Sequence, residues 1–244
     1  KFFWKKYKLL KYLNKNIKIL RFKKKNNVIL YFPTYNDFNN TKKTIDKLQR
    51  QTFNNFDILI LDNGGDDTKH LLSLDKEINL IKIFNNVGST GAQWIGLHFC
   101  LKQNYRYLII SDNDSLLIEN DGIEKLINNL INSGGSAIVP NNLIKLFQKN
   151  DLSKIHLNNI EKCNSFQISQ YFLIDVHKVD LKNSFNPIMF LSCEDVMLSS
   201  RVLGKDNILY DNSVNYYHKP IKPYHLSSKA QYLKLRGLFL ILFF

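Results

Sequence analysis

Cysteine is scarce in this chain, and the three that occur form no pattern. Cys100, Cys163 and Cys193 are widely spaced among 244 residues, and no CxxC pair occurs. That spacing argues against a disulfide framework and a zinc knuckle, and it suits a reducing compartment. No uncharged apolar run reaches the length of a membrane span, and the N-terminus lacks the apolar core of a signal peptide. The closing run Leu238–Phe244 is apolar but too short to cross a bilayer, and reads as a core segment or a cut end. The GxxxxGK[ST] phosphate loop is missing, and Gly88-Ser89-Thr90-Gly91 is not the GxGxxG dinucleotide fingerprint.

Acidic residues are missing from two places, and this changes the meaning of the net charge of +13. Residues 1 to 25 hold ten Lys and one Arg with no acid, and Lys219 to Arg236 hold four Lys and one Arg, again with none. Residues 26 to 218 are left with a net charge of −3. The basic character therefore belongs to the ends, and nucleic acid is not the expected partner of the centre. In residues 1 to 25, Phe2, Phe3, Leu9, Leu10, Leu13, Ile17 and Leu20 recur at three- and four-residue steps between lysines. The spacing predicts a basic amphipathic helix of the kind that lies on an anionic membrane surface. At roughly 1 kcal/mol per basic residue near such a surface, several lysines hold a protein reversibly. Packing on a partner or on the protein's own core, and nucleic-acid binding, are the alternatives. Three parts follow: 1–25, a central domain 26–218, and a basic and apolar segment 219–244.

From Val28 onward, short apolar runs alternate with helical patterns. Strands are expected over Val28–Phe32, Asp57–Leu61, Asn79–Phe84, Arg106–Ser111 and Ser136–Val139, with helices over Thr41–Arg50, Thr90–Gln103 and Asp121–Asn132. Ser165–Val176 and Asn207–Tyr210 are also strand-like. Near-continuous apolar strands separated by helices predict an α/β fold whose mostly parallel sheet is covered on both faces.

The segments after the first four strands carry the chemistry. They are Pro33-Thr34-Tyr35-Asn36, Asp62-Asn63-Gly64-Gly65-Asp66-Asp67, Asn85-Asn86-Val87-Gly88-Ser89-Thr90-Gly91 and Asp112-Asn113-Asp114. Parallel strands share a direction, so all four should open on one rim, where ligands of open α/β sheets bind. Taken singly, each is ordinary turn chemistry. Asp112 and Asp114 point the same way if the strand geometry persists, and two convergent carboxylates call for a hard cation between them. A turn or a helix cap is the other reading of that triplet. Further on, Glu194-Asp195 opens a helical pattern, where acids suit the helix dipole or where one of them acts as a general base. His218 ends the aromatic run from Val214, as a structural residue or a metal ligand. His70, His98, His156, His177 and His225 show no comparable pattern.

In this order, Pro33 to Asn36, Asp62-Asn63-Gly64, Asn86-Val87-Gly88, Asp112-Asn113-Asp114, Glu194-Asp195 and His218 resemble GT-A glycosyltransferases of the family 2 type. Within that family the galactofuranosyl- and rhamnosyltransferase-like branch is the most similar. The resemblance covers about residues 28 to 218. It implies a GT-A, Rossmann-like domain that moves a sugar from a nucleotide-diphosphate donor to a glycan or lipid-linked glycan hydroxyl. Pro33, Thr34, Tyr35, Asn36 and Asp62 would hold the base and ribose, and Asn86 and Gly88 would border the diphosphate and sugar, with Asn113 at the same site. Asp112, Asp114 and His218 would bind Mn²⁺ or Mg²⁺, the imidazole favouring manganese. Asp195 would be the base, Glu194 would orient hydroxyls, and a single displacement implies inversion. The QxxRW segment of processive polysaccharide synthases is missing; Gln231 and Arg236 are a faint echo. The basic ends suggest a cytoplasmic protein held peripherally on the inner face of the cell membrane. A phosphohydrolase with Asp112 as nucleophile and Asp114 as acid is a competing reading, as is a non-catalytic membrane or nucleic-acid binding module.

Overall fold

The computed structural model describes residues 16–142, 160–162, 171–181, 198–199 and 208–218. Its centre is a block of four parallel strands: β2 (Val28–Thr34), β3 (Asp57–Asn63), β4 (Asn79–Ile83) and β5 (Tyr107–Ser111), in the order β4-β3-β2-β5. β2, β3 and β5 are buried along their whole length. The reason is that both faces of the block are covered. Ile29, Tyr31, Leu59, Leu61, Leu108 and Ile110 pack in one cluster with Trp94, Ile95 and Leu97 of helix α3 (Gly88–Lys102). The alternate residues Leu30, Phe32, Ile58, Ile60 and Ile109 join a second cluster with Ile45 and Leu48 of α1 (Phe38–Leu48) and Leu126 and Leu130 of α4 (Gly122–Ser133). Successive side chains of a strand point to opposite faces, so a strand covered on both sides is apolar through its middle, and the polar residues Thr34, Asp57, Asp62, Asn63 and Ser111 stand at the strand ends. At about 1.5–3 kcal/mol per fully buried large aliphatic side chain, these two clusters hold the fold, and the polar rim contributes less per contact.

The short helix α2 (Thr68–Leu72) follows β3. Helix α3 meets the sheet closely at Gly96, where a Cβ would lie 2.6 Å from the Tyr31 ring and 2.7 Å from a Leu61 methyl. Beyond β5 the sheet becomes mixed. β9 (Tyr171–Asp175) enters antiparallel between β5 and β7 (Ala137–Asn142), and β10 (Ile208–His218) runs parallel to β7 and antiparallel to β6 (Ser115–Leu117) and β8 (Ile160–Lys162).

Two expectations change. The basic helix does not extend to residue 25, because Ile17–Arg21 is a strand, β1, paired antiparallel with β4 at the edge of the sheet. The same apolar residues satisfy either period. Ile17 packs against one core cluster and Leu20 against the other, a bulge after Ile19 breaks the register, and the pairing covers the otherwise open edge of β4. Residues 1–15 lie outside the described residues. Likewise, Ile208–Tyr210, within the strand expected over Asn207–Tyr210, and the aromatic run to His218 form one strand, kinked between Asp211 and Asn215. The buried Asp211 makes that kink by accepting hydrogen bonds from Ser213 N and Oγ at 2.9 and 2.6 Å. Among the described residues, no helix is long and apolar enough to cross a membrane.

Candidate active site

The C-terminal ends of β2 to β5 open on one rim, and the loops there are fastened to each other by side-chain amides. Asn36, at φ +49°, accepts a hydrogen bond from Asp66 N on Oδ1 at 2.7 Å, tying the first loop to the second. Asn63 donates from Nδ2 to Gly88 O at 3.1 Å and accepts from Val87 N on Oδ1 at 3.1 Å, tying the second to the third. Asn86 Oδ1 accepts from Gly88 N at 2.8 Å. Gly64 (φ +81°) lies so close to this loop that a Cβ would come within 2.3 Å of Asn86 N, so only glycine serves there.

Asp62 is 1% exposed and is occupied within the protein. Its carboxylate accepts from Gly65 N at 3.2 Å, Thr68 Oγ1 at 2.5 Å and Lys82 Nζ at 2.9 Å. Lys82 also reaches Gly65 O. In this structure Asp62 shapes the loop and presents no open face to a base or ribose. Pro33 and Thr34 are buried at the end of β2, with Thr34 Oγ1 2.8 Å from Thr41 Oγ1, whereas Tyr35 is 51% exposed at the rim. Asn63 is part of the Asp62-Asn63-Gly64 motif but carries no role of its own there, and Lys82 does not stand out in the sequence as a site residue. Lys82 is recognisable only from the parallel register that sets it opposite Asp62.

Asp112-Asn113-Asp114 is the turn between β5 and β6. β10 runs back along β6 with His218 opposite Ser115, the residue after Asp114, and this pairing brings the histidine to the turn. His218 Nε2 lies 3.2 Å from Asp114 Oδ1 and 3.8 Å from Asp112 Oδ2. One ligand atom from each of the three residues falls within 4.8 Å of the others. Ligands about 2.1 Å from a common ion stand about 3 Å apart at right angles, so these side chains need only small rotations to share one cation. They are 31%, 27% and 19% exposed, open enough to admit an ion and a ligand. Burial pulls the His218 pKa down, but the hydrogen bond to Asp114 and the charges of Asp114 and Asp112 outweigh it, and the net shift is upward. The carboxylates thus favour the charged form of the imidazole, and a divalent cation would take over its balancing charge. Two carboxylates with one imidazole suit Mn²⁺, and Mg²⁺ less well.

The middle residue of the turn faces the other way. Asn113 Nδ2 donates to Asp37 Oδ2 at 2.9 Å and Thr41 Oγ1 at 3.4 Å, so in this structure its side chain meets α1. The triplet is a β-turn closed by Ser115 N donating to Asp112 O at 3.2 Å, and in it Asn113 is directed toward α1 while Asp112 and Asp114 face His218. The structure therefore brings Asp112, Asp114 and His218 together and sets the segments holding Pro33, Thr34, Tyr35, Asn36, Asp62, Asn86 and Gly88 along the same rim. Glu194 and Asp195 lie outside the described residues.

Comparison with known proteins bears on the family and the fold. The sequence profile of glycosyl transferase family 2 matches residues 30–193, more than half of the chain. The chain belongs to glycosyl transferase family 2. No curated protein matches its sequence. Among solved structures it is similar to Staphylococcus aureus TarS 1-349, with a TM-score of 0.59 and 12% identity over 79% of this chain and 60% of that one. The same TarS fragment in complex with UDP-GlcNAc gives a TM-score of 0.59 and 14% identity, covering 82% of this chain and 60% of that one. The mannosyltransferase PcManGT from Pyrobaculum calidifontis, in complex with GDP-Man and Mn²⁺, gives 0.59 and 12% over 90% of this chain and 65% of that one. The family 2 chain described here thus spans less than two thirds of the length of these relatives. At such identities the likeness shows the fold.

Proposed function

We propose that this family 2 domain is a metal-dependent, inverting glycosyltransferase that moves a sugar from a nucleoside-diphosphate sugar to a hydroxyl of a glycan or lipid-linked glycan. The observation that carries the reading is the convergence of Asp112, Asp114 and His218 at the open end of the parallel block. Similar folds holding UDP-GlcNAc, and GDP-Man with Mn²⁺, support it. A bound Mn²⁺ or Mg²⁺ would neutralise the charge that develops on the departing nucleoside diphosphate, so no separate general acid is needed. Pro33 to Asn36, with the loop that Asp62 and Lys82 shape, form the nucleoside end of the cleft, and Asn86 and Gly88 the diphosphate and sugar end. Asp195 takes the proton of the attacking hydroxyl, Glu194 orients acceptor or sugar hydroxyls, and one displacement inverts the anomeric carbon. The basic segments 1–15 and 219–244 hold the domain on an anionic membrane, on the cytoplasmic face, beside a lipid-linked acceptor.

The test is to incubate the protein with Mn²⁺ and a panel of nucleotide sugars and to follow nucleoside diphosphate release with and without glycan acceptors. Asp195→Ala should lower transfer by about 10²–10⁴-fold while leaving donor binding nearly intact; full activity in that variant removes the base assignment. Deleting residues 1–15 should weaken retention on phosphatidylserine vesicles, and unchanged retention places the anchor elsewhere.

A further inference from the structure

The metal turn is gripped from behind by one helix. Asn113, between the two aspartates, is held at both its side chain and its backbone. Its Nδ2 donates to Asp37 Oδ2 at 2.9 Å and to Thr41 Oγ1 at 3.4 Å, and its carbonyl accepts the hydroxyl of Thr44 at 2.6 Å. Asp37 precedes the first residue of α1, and positions 37, 41 and 44 recur at steps of four and three, which is one face of a helix. Thr41 and Thr44 are 0% and 1% exposed, so water does not compete for these hydroxyls. Asp37 is fixed in turn by Asn40 Nδ2 at 3.0 Å, and Thr41 by Thr34 at the end of β2.

We propose that α1, through Asp37, Thr41 and Thr44, positions the metal-ligating turn by holding Asn113, so that the flanking carboxylates stay convergent before any cation arrives. The inference rests on the metal reading of Asp112, Asp114 and His218. Two carboxylates on one side of a turn repel each other, and a free turn relieves the repulsion by rotating one of them away. Three hydrogen bonds to the middle residue oppose that rotation. A turn that is competent only part of the time binds its ion more weakly in proportion to that fraction. Asp37, Thr41 and Thr44 are positioning residues; they touch neither the ion nor the sugar.

The experiment titrates Mn²⁺ alone into the purified protein and reads the free-ion signal by electron paramagnetic resonance, alongside thermal melts of the metal-free protein. Thr44→Val, close to isosteric, should weaken Mn²⁺ binding by about tenfold, the usual scale for losing an outer hydrogen bond to a metal site, and Thr44→Ser should restore it. Asp37→Ala, at the half-buried N-terminal end of α1, should weaken it in the same direction and guards against a folding defect in Thr44→Val. A role confined to stability would lower the melting temperature of Thr44→Val and Asp37→Ala and leave the Mn²⁺ affinity of the folded protein unchanged, which overturns the proposal. Asp114→Asn separates the two levels. If it loses Mn²⁺ while Thr44→Val and Asp37→Ala keep it, the positioning role is wrong and the metal site stands. If Asp114→Asn also keeps Mn²⁺, the metal reading itself is wrong.

Discussion

The two ends of the parallel block both gather carboxylates, and they use them differently. At the N-terminal rim, Asp57 is 5% exposed and accepts from Lys25 N at 3.0 Å, Asn26 N at 3.3 Å, Asn26 Nδ2 at 2.8 Å and the Tyr105 hydroxyl at 2.6 Å. It joins the segment before β2 and the loop before β5 to the first residue of β3. Tyr105 shows the cost of this arrangement: burial first, and then its bond to Asp57, push its phenol far above the ordinary range. At the C-terminal rim, Asp112 and Asp114 are about a third exposed and share one imidazole. A carboxylate filled by the chain's own donors has nothing left for a ligand. A convergent pair at an open rim, balanced by a single titratable ring, can exchange that ring's proton for a metal ion.

The comparison breaks most sharply at one substitution on each rim. Asp114→Asn should reduce transfer by at least about 100-fold, as expected when a group that stabilises developing charge is lost, and abolish the Mn²⁺-induced rise in melting temperature. Its effect on metal-free stability should stay within about 1 kcal/mol, because the site is partly solvated and the loss of one partner of His218 is offset by relief of like-charge repulsion. Asp57→Ala should do the reverse. Leaving four donors without their acceptor should cost about 2–4 kcal/mol in chemical denaturation, while Mn²⁺ and donor binding by the folded fraction stay at wild-type values. Equal effects of the two variants on stability would show that both rims are structural and remove the contrast.

How much of this was legible in the sequence depended on the kind of pattern. β2, β3 and β5 were readable because strands buried on both faces are apolar through their middle, and the loops after them because Asp, Asn and Gly cluster where the apolar runs stop. Asp112 and Asp114 were readable as a convergent pair from the end of an apolar strand, but His218 joined them through family order alone; nothing in the spacing of residues 114 and 218 says that they meet. That meeting depends on β6, three residues long, and on the continuity of β10 through the Asp211 kink, neither of which periodicity can show. β1 was misread because Ile17 and Leu20 fit both a helix and a bulged edge strand. Lys82 and the threonines of α1 were missed because polar residues gain their roles from register; Asn63 was read within its loop without a role of its own, and Asn113 was grouped with its neighbours although the turn before β6 directs it toward α1.

A smaller effect sharpens the contrast through His218. Its folded pKa is raised above the usual value of about 6.5. In the metal-free protein the imidazolium contact with Asp114 and Asp112 is therefore fully stabilising below pH 6.5, and that contribution is lost as the pH rises through the folded pKa. Metal coordination requires the neutral ring, so Mn²⁺ competes with the proton. On the acid side of the folded pKa, Mn²⁺ affinity should tighten by about tenfold per pH unit, since one proton leaves for each ion bound, and it should level off above that pKa. The measurement is the Mn²⁺ dissociation constant between pH 5.5 and 8.5, with His218→Asn as the partner variant. His218→Asn should bind more weakly and, above pH 6, with little dependence on pH. A wild-type affinity that is flat over the whole range would mean that the ion does not displace the His218 proton, and that the two aspartates hold it without the third ligand.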